Sequence, residues 1–444
     1  MAYLSLGADH TWILHISPNL YHKTQKKSSL LKVGAKEINW RTKLSMKFPE
    51  PNSLFTKVKL TTKKGALFAG PFLGILTVSR GADFKGNKNN FIDIIQAAKE
   101  FGAFVFVFTV EEINWNTGTT GAFFYHEGKK EWIHLKDLPL PNVVYNRIPY
   151  REDEQKQYVH NALNRLQNIP ELHLYNSQFF NKWALYGVLS RNPNVSKWIP
   201  ESRLLNSLED LEQLAKVHRL LYLKPIEGKA GIGIMSIIHK QDSYLLKIPS
   251  QQRTLTHRFS TIDSLWKYLK PRLIENYIVQ QGVSLLTHKD CRFDIRVLIQ
   301  KDENGLWQLS GVGIRVAGRG GITTHVPRGG SIASPEEVLL PHLGQDGYEQ
   351  KMKELKMTVL EIANALSEHD PSLGEMSMDI GLTKEGRFWF FEANAKPMKF
   401  DEPPIRRTSL KRIIQYAQYL SDFTTKGEMQ GAGQTGHTRA VTKG

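Results

Sequence analysis

The sequence predicts a mixed α/β (α+β) chain. Three stretches carry the prediction: an alternating strand and helix run from Phe72, a glycine loop between two strands at Leu220 to Ile237, and a strand-turn-strand at Met376 to Pro397. The last of these, MSMDIGLTKEGRFWFFEANAKP, is the most informative. Ser377, Asp379 and Gly381 alternate with Met378, Ile380 and Leu382, the period of a strand with one apolar face. Thr383 to Gly386 reads as the turn. The return strand, Arg387 to Asn394, is aromatic on both faces until Glu392 and Asn394, which lie two residues apart and point the same way. A carboxylate that ends so apolar a strand needs a partner. Two carboxylates and an amide oxygen suit a hard cation that shares its remaining positions with phosphate, which describes Mg²⁺ better than Zn²⁺ or iron. A solvated Glu on an edge hairpin is the plainer alternative.

At 444 residues the chain is long enough for two or three domains with cores. Hydrophobic content of 41% and a mean hydropathy of -0.37 are those of a soluble globular protein. No run approaches the length of a membrane-spanning helix, the longest apolar stretch being Ala103 to Phe108. The start, MAYLSLGADHTW, lacks a basic region followed by an apolar one, so secretion through a signal peptide is not expected. One cysteine, Cys291, excludes an intramolecular disulfide and a multi-cysteine metal site, and reads as a half-buried strand-entry residue. The net charge of +16 suits an anionic partner, yet the basic residues are dispersed. With no RNP, zinc-finger or helix-turn-helix signature, no dedicated nucleic-acid site is expected.

Residues 1–70 alternate short strand-like pieces with Lys, Ser and Pro breaks and read as a small β-rich module. Residues 71–170 hold FLGILTV, the helix Asn90 to Phe101, AFVFVFTV and NVVYNRI, an alternating α/β unit. Residues 171–421 form the third region, with helices at Asn181 to Ser190 and Ser207 to Val217 ahead of the strand RLLYLKP. Residues 422–444, rich in Gly and Thr without apolar period, read as a disordered tail.

In LLYLKPIEGKAGIGIMSI the loop supplies Gly228, Gly231 and Gly233 beside Glu227, and such glycines let backbone N–H groups approach phosphate oxygens. Lys224 ends the incoming strand and adds a point charge. A plain hairpin with a long glycine turn is the alternative, since no Lys-Ser/Thr follows the glycines and a strand comes next. Further on, CRFDIRVLIQKDENGLWQLSGVGIRVA is a hairpin turning at Asp302 to Gly305. Phe293, Ile295, Val297 and Ile299 make its apolar face, so Asp294 and Arg296 project together onto the other. Arg296, with Arg315 on the partner strand, suits a transferring phosphoryl group, and a structural Asp294–Arg296 pair is the alternative.

Lysine with glycine loop, D-x-R hairpin, then D…E-x-N hairpin is an order that resembles the ATP-grasp superfamily of carboxylate-amine ligases, over roughly Glu171 to Tyr419. The phrases YLKPIEGKAGIGI, YIVQQG, FDIRVLIQKDENGLW and a hairpin ending in Lys396-Pro397 look like its YheC/YheD branch, described as endospore-coat-associated. The resemblance implies an ATP-grasp fold preceded by a small α/β domain and the N-terminal β-rich module. It implies that Lys182 and Lys224 flank the phosphates of ATP, and that Gln280, Gln281 and Val283 lie in the segment that holds adenine through its backbone. It further implies that Asp379, Glu392 and Asn394 bind two Mg²⁺ (or Mn²⁺), and that a carboxylate is activated as an acyl phosphate for an amine to attack. Arg296 and Arg315 are the catalytic candidates, with His288 and His325 weaker ones. The carboxylate and the amine are not readable, although Arg319, Arg328 and Gly318 to Gly321 suit an anionic acceptor. The branch implies a cytoplasmic, mother-cell protein that assembles on the spore coat with other coat proteins. A nucleotide-binding coat scaffold without turnover is the competing reading. The chain departs from many relatives in having His325 in THVPRGG and Ala393 between Glu392 and Asn394.

Overall fold

Alternating burial builds the first sheet. Ala2, Leu4 and Leu6 pair across a hairpin with Ile16, Leu14 and Trp12, and all six side chains are buried on one face. The computed structural model describes residues 2–424 except 8–10, 19–20, 22–30, 36–41, 51–52, 64–65, 228–230, 250–253, 275, 319–323 and 325–329. The hairpin lies inside a six-stranded sheet ordered Leu31–Lys32, Ala66–Gly70, Leu54–Lys63, Ala2–Leu6, Trp12–Ile16, Thr42–Ser45.

The second sheet runs Ile113–Asn114, Thr119–His126, Phe104–Thr109, Phe72–Thr77, Val143–Asn146, His173–Tyr175, and its last four strands are parallel. FVFVFT and FLGILT are apolar up to their final Thr because both of their faces are covered. Phe72, Leu76, Phe104, Phe106 and Phe108 pack with Leu4, Trp12 and Leu14 of the first sheet. Leu73, Ile75, Val105 and Val107 pack under helix Lys88–Phe101 and helix Pro403–Leu420. The first two sheets therefore share a core across residue 70. The last helix also returns the chain to the α/β unit.

The third sheet is antiparallel, ordered Ser202–Leu204, Tyr277–Gln281, Leu220–Pro225, Met235–Lys240, Ser243–Pro249, Thr254–Phe259, and packs on helices Leu208–Val217 and Ile262–Leu269. The fourth is ordered Ser331–Ala333, Trp307–Val316, Cys291–Lys301, Glu375–Leu382, Phe388–Asn394. Its apolar face meets helices Lys182–Arg191 and Pro335–His369, the second of which breaks at Gly344 (φ 68°, ψ 175°). Among the described residues, no helix is long and apolar enough to cross a membrane.

Both ends of the Glu375–Asn394 hairpin are held by the α/β side. Asn176 accepts hydrogen bonds from the backbone N–H of Gly374 (2.9 Å) and Glu375 (3.2 Å) and donates to the carbonyls of Glu375 and Ala395. Tyr145 Oη donates to the Glu375 carboxylate at 2.7 Å, Arg147 donates to Pro397 O at 2.9 Å, and Lys396 pairs with Glu154. Of the segment expected to be a disordered tail, Asp422 to Thr424 are ordered, because Phe423 (3% exposed) is an apolar anchor packed beside Gly70. Residues 425–444 lie outside the described residues.

Candidate active site between the third and fourth sheets

Strand periodicity places the polar groups. On Leu220–Pro225, Leu221 and Leu223 enter the core while Tyr222 and Lys224 face the cleft. On Cys291–Lys301, Phe293, Ile295, Val297 and Ile299 are fully buried, which turns Arg292, Asp294 and Arg296 to the other face. Register then decides the partners. Asp294 stands opposite Arg315, Arg296 opposite Asp379, Asp379 opposite Glu392, and Ser377 opposite Asn394. A bulge between Asp379 and Ile380 absorbs Phe391, so Phe390 and Ala393 both stay in the core while Glu392 and Asn394 share the face of Asp379.

The result is a checkerboard of four charges. Arg315 donates two hydrogen bonds of 2.8 Å to Asp294 and one of 2.6 Å to Asp379 Oδ2, while Arg296 donates to Asp379 Oδ1 at 2.6 Å. The expected alternative pair, Asp294 with Arg296, does not form, because neighbours two apart on one strand are farther from each other than from their cross-strand partners. Thr324 also donates to Asp294. Burial pushes the Asp379 carboxyl up, but Arg296 and Arg315 outweigh it and hold the group well below the usual carboxylate range. For Asp294 burial wins over Arg315, and its carboxyl is raised.

Asp379, Glu392 and Asn394 lie together as the sequence predicted. Among the described residues there is no group of three or more His, Cys, Asp and Glu able to hold a metal. The hairpin offers two carboxylates and an amide, an incomplete set that fits a hard cation completed by phosphate oxygens. Each Asp379 oxygen already accepts one guanidinium hydrogen bond and keeps a second lone pair for a cation.

The lysines face this cluster. Lys182 opens helix Lys182–Arg191, which Asn181 caps, and its Nζ lies 3.8 Å from Glu392. Lys224 Nζ donates to Gln280 Oε1 at 2.5 Å and lies 5.5 Å from the centre of the Phe391 ring. Gln280, 1% exposed, donates in turn to Ser202 Oγ at 2.9 Å. The N–H groups of Gln281 and Gly282 are committed to Glu201 O and Leu220 O, whereas Gln281 and Val283 do line the cleft. Gly231 and Gly233 adopt positive φ (69° and 75°), and a Cβ on Gly233 would come within 2.7 Å of Pro225. Glu227 is exposed and does not line the cleft, and Gly228 lies outside the described residues.

Burial lowers the Lys224 pKa to about 8. If this ammonium holds phosphate, ATP affinity falls as pH rises through 8, by up to about tenfold per unit, because the free protein loses the charge there. Lys224→Arg, charged throughout, is expected to flatten that slope. Lys224→Ala is expected to weaken ATP binding about 10–100-fold, the worth of a charge-assisted contact of about 1.5–3 kcal/mol. Calorimetry from pH 7 to 9 checks all three; parent-like titrations for Lys224→Ala would remove the assignment.

Sequence reasoning did not find Arg292, which donates to Tyr222 Oη at 2.7 Å across the two sheets, or Thr324 and Phe391 in the cleft wall. Arg292 carried the signal, since it precedes Asp294 by the strand period. His288 stacks edge-on to His342 (6.3 Å) and is absent from the cleft lining. Arg319, His325 and Arg328 lie outside the described residues.

A family model described as YheC/D like ATP-grasp matches residues 171–420, more than half of the chain. Endospore coat-associated protein YheD of Bacillus subtilis (strain 168) is 30% identical over 367 residues, covering 80% of this chain and 79% of that protein. Endospore coat-associated protein YheC of the same organism is 24% identical over 329 residues, covering 73% and 88%. Among solved structures, the ATP-grasp ligase PsnB complexed with a minimal precursor aligns with TM-score 0.46 at 14% identity, over 80% of this chain and 99% of that one. D-alanyl-alanine synthetase A from Vibrio cholerae aligns with TM-score 0.43 at 13% identity, over 81% and 98%.

Proposed function

The chain belongs to the YheC/D-like ATP-grasp family, and from that premise we propose that it is an ATP- and Mg²⁺-dependent ligase joining a carboxylate to an amine through an acyl phosphate. The observation that carries this reading is the strand register that sets Asp379, Glu392 and Asn394 on one face with Arg296 and Arg315, facing Lys182 and Lys224. Residues 171–421 form the catalytic unit in this reading, and the two preceding regions support it.

Such a reaction is governed by positioning and charge neutralisation, and it needs no nucleophilic side chain. Lys224, from the third sheet, and Lys182, from the helix packed on the fourth, hold the phosphates. Asp379, Glu392 and Asn394 hold the divalent ions, which supply charge stabilisation along the phosphates. Arg296 and Arg315 face the group being transferred, and their guanidinium forks match its oxygens. The apolar wall of Val283, Leu285 and Phe391 takes the base and excludes water. The names of the two Bacillus subtilis relatives extend the proposal to a role in the endospore coat, with coat proteins as partners.

A second reading, a coat scaffold without turnover, is favoured by the Asp294–Arg315–Asp379–Arg296 group, in which two carboxylates and two guanidiniums neutralise one another. ADP release separates the two. The ligase is expected to release ADP only with Mg²⁺, faster when amino acids or short peptides are added, and to give a product mass equal to the two substrates less water. No Mg²⁺-dependent ADP release with any such mixture favours the scaffold. Equal ATP affinity in excess chelator removes the metal site.

A further inference from the structure

Ser377 is fully buried, and its hydroxyl has no hydrogen-bond partner among the described residues. It is one of two such side-chain groups among the described residues, the other being Tyr175 Oη. An orphaned buried hydroxyl lowers stability, and a strand with Ala in its place would avoid that cost. Its position is informative. Ser377 lies two residues before Asp379 on strand Glu375–Leu382, so both point to one face, and it pairs directly with Asn394 on the return strand. The half-buried Asn394 amide makes no hydrogen bond to any described residue.

From this geometry we infer that Ser377 is a positioning residue for Asn394, accepting a hydrogen bond from its Nδ2 when Oδ1 turns to a cation. The inference rests on reading Asn394 as a metal ligand. An Asn side chain ends in one acceptor and one two-proton donor. When Oδ1 is given to Mg²⁺, the NH₂ group is left pointing away and needs an acceptor, or the two ends are free to exchange places. Directly opposed residues on antiparallel strands have Cβ atoms about 4.5–5.5 Å apart, within reach of that contact. The unsatisfied hydroxyl and the unengaged amide are then two halves of one interaction, made only when the cation fixes the Asn rotamer. Outer partners of this kind typically change metal affinity about 10–100-fold when removed.

The test uses full-length protein, Mg²⁺ and a non-hydrolysable ATP analogue, with Ser377→Ala, Ser377→Cys and Asp379→Asn compared with the parent. In Ser377→Ala the metal-free melting temperature is expected to stay or rise, because the orphan is gone, while Mg²⁺ binds about 10–100-fold more weakly with nucleotide present. Ser377→Cys, similar in size but a weak acceptor, is expected to fall between the two. Parent-like Mg²⁺ affinity in Ser377→Ala, alongside a loss in Asp379→Asn, overturns the role of Ser377 and leaves the metal site standing. A lower metal-free melting temperature with unchanged Mg²⁺ affinity likewise overturns it, by making Ser377 a packing residue. If Asp379→Asn also binds Mg²⁺ like the parent, it is the metal reading itself that fails.

Discussion

Asp379→Asn is expected to lower Mg²⁺-dependent ADP release by about 10²–10³-fold and to lower the melting temperature as well. Asp379 is 6% exposed and accepts from two guanidiniums at 2.6 Å, so its charge serves the sheet as well as the proposed metal site. Replacing it with a neutral amide leaves Arg296 with no carboxylate and Arg315 with one. Removing one partner of a buried ion pair costs about 3–5 kcal/mol, because the remaining charge stays buried. A variant altered only as a ligand, with an unchanged fold, is therefore not the expected outcome. Glu392→Gln is the cleaner probe. Its side chain is 29% exposed and the Nζ of Lys182 is 3.8 Å away, so the rate should fall with little change in melting. Parent-like ADP release from Asp379→Asn at saturating Mg²⁺ would remove Asp379 from the site.

Arg315→Ala is expected to be the most destabilising change in the cleft, and Arg296→Ala the most selective for rate. Arg315 joins Asp294 to Asp379; without it two buried carboxylates share one face. Arg296 still pairs with Asp379, so the loss falls on Asp294, whose carboxyl, already raised by burial, is pushed further above its unfolded value; the penalty is present at neutral pH and is relieved as pH falls and a proton is taken up. The difference in melting temperature between parent and Arg315→Ala should therefore narrow from pH 8 to pH 5. A constant difference would show that the lost contacts, rather than the exposed charge pair, set the cost. Among the described residues Arg296 pairs with Asp379, and Arg315 continues to neutralise that carboxylate in Arg296→Ala. If Arg296 acts on the transferring phosphoryl group, its loss appears in kcat far more than in ATP affinity. Unchanged ADP release with a lowered melting point would make Arg296 purely structural.

Where a pattern is local, the sequence was readable. The two hairpins at Cys291–Val316 and Glu375–Asn394 follow from alternation and from turns at Asp302 to Gly305 and Thr383 to Gly386, with Gly305 and Gly386 at positive φ. Lys224, Asp379, Glu392 and Asn394 could be named because each sits at a fixed offset within its own element, whereas Lys182 was named only through the family resemblance. Partners across strands could not. Asp294 meets Arg315 from 21 residues away and Arg296 meets Asp379 from 83, distances set by register, which one strand does not encode. The Gln280 side chain was hidden for the same reason, since only the pairing of Tyr277–Gln281 with Leu220–Pro225 brings it to Lys224. Helix Pro403–Leu420 went unread because its buried residues Ile413, Ile414, Tyr416 and Ala417 answer to an α/β core formed more than 300 residues earlier. Helix Pro335–His369 is broken at Gly344 and its periodicity with it.

The clamp on the Glu375–Asn394 hairpin bears on affinity through entropy. Freezing a residue's backbone costs about 1–2 kcal/mol, and a loop that must order itself around an ion spends that much of the ion's binding energy at each residue. Here the cost is met during folding. Asn176, Tyr145, Arg147 and Glu154 hold the base of the hairpin before any ion arrives, so Asp379, Glu392 and Asn394 wait in fixed relative positions. A set of only two carboxylates and an amide would be a weak chelator on a floppy strand; preorganised, it delivers nearly all of its contact energy to the ion. If the hairpin holds the proposed metal, the α/β unit, which contributes no residue to the cleft wall, is a determinant of how tightly that metal is held.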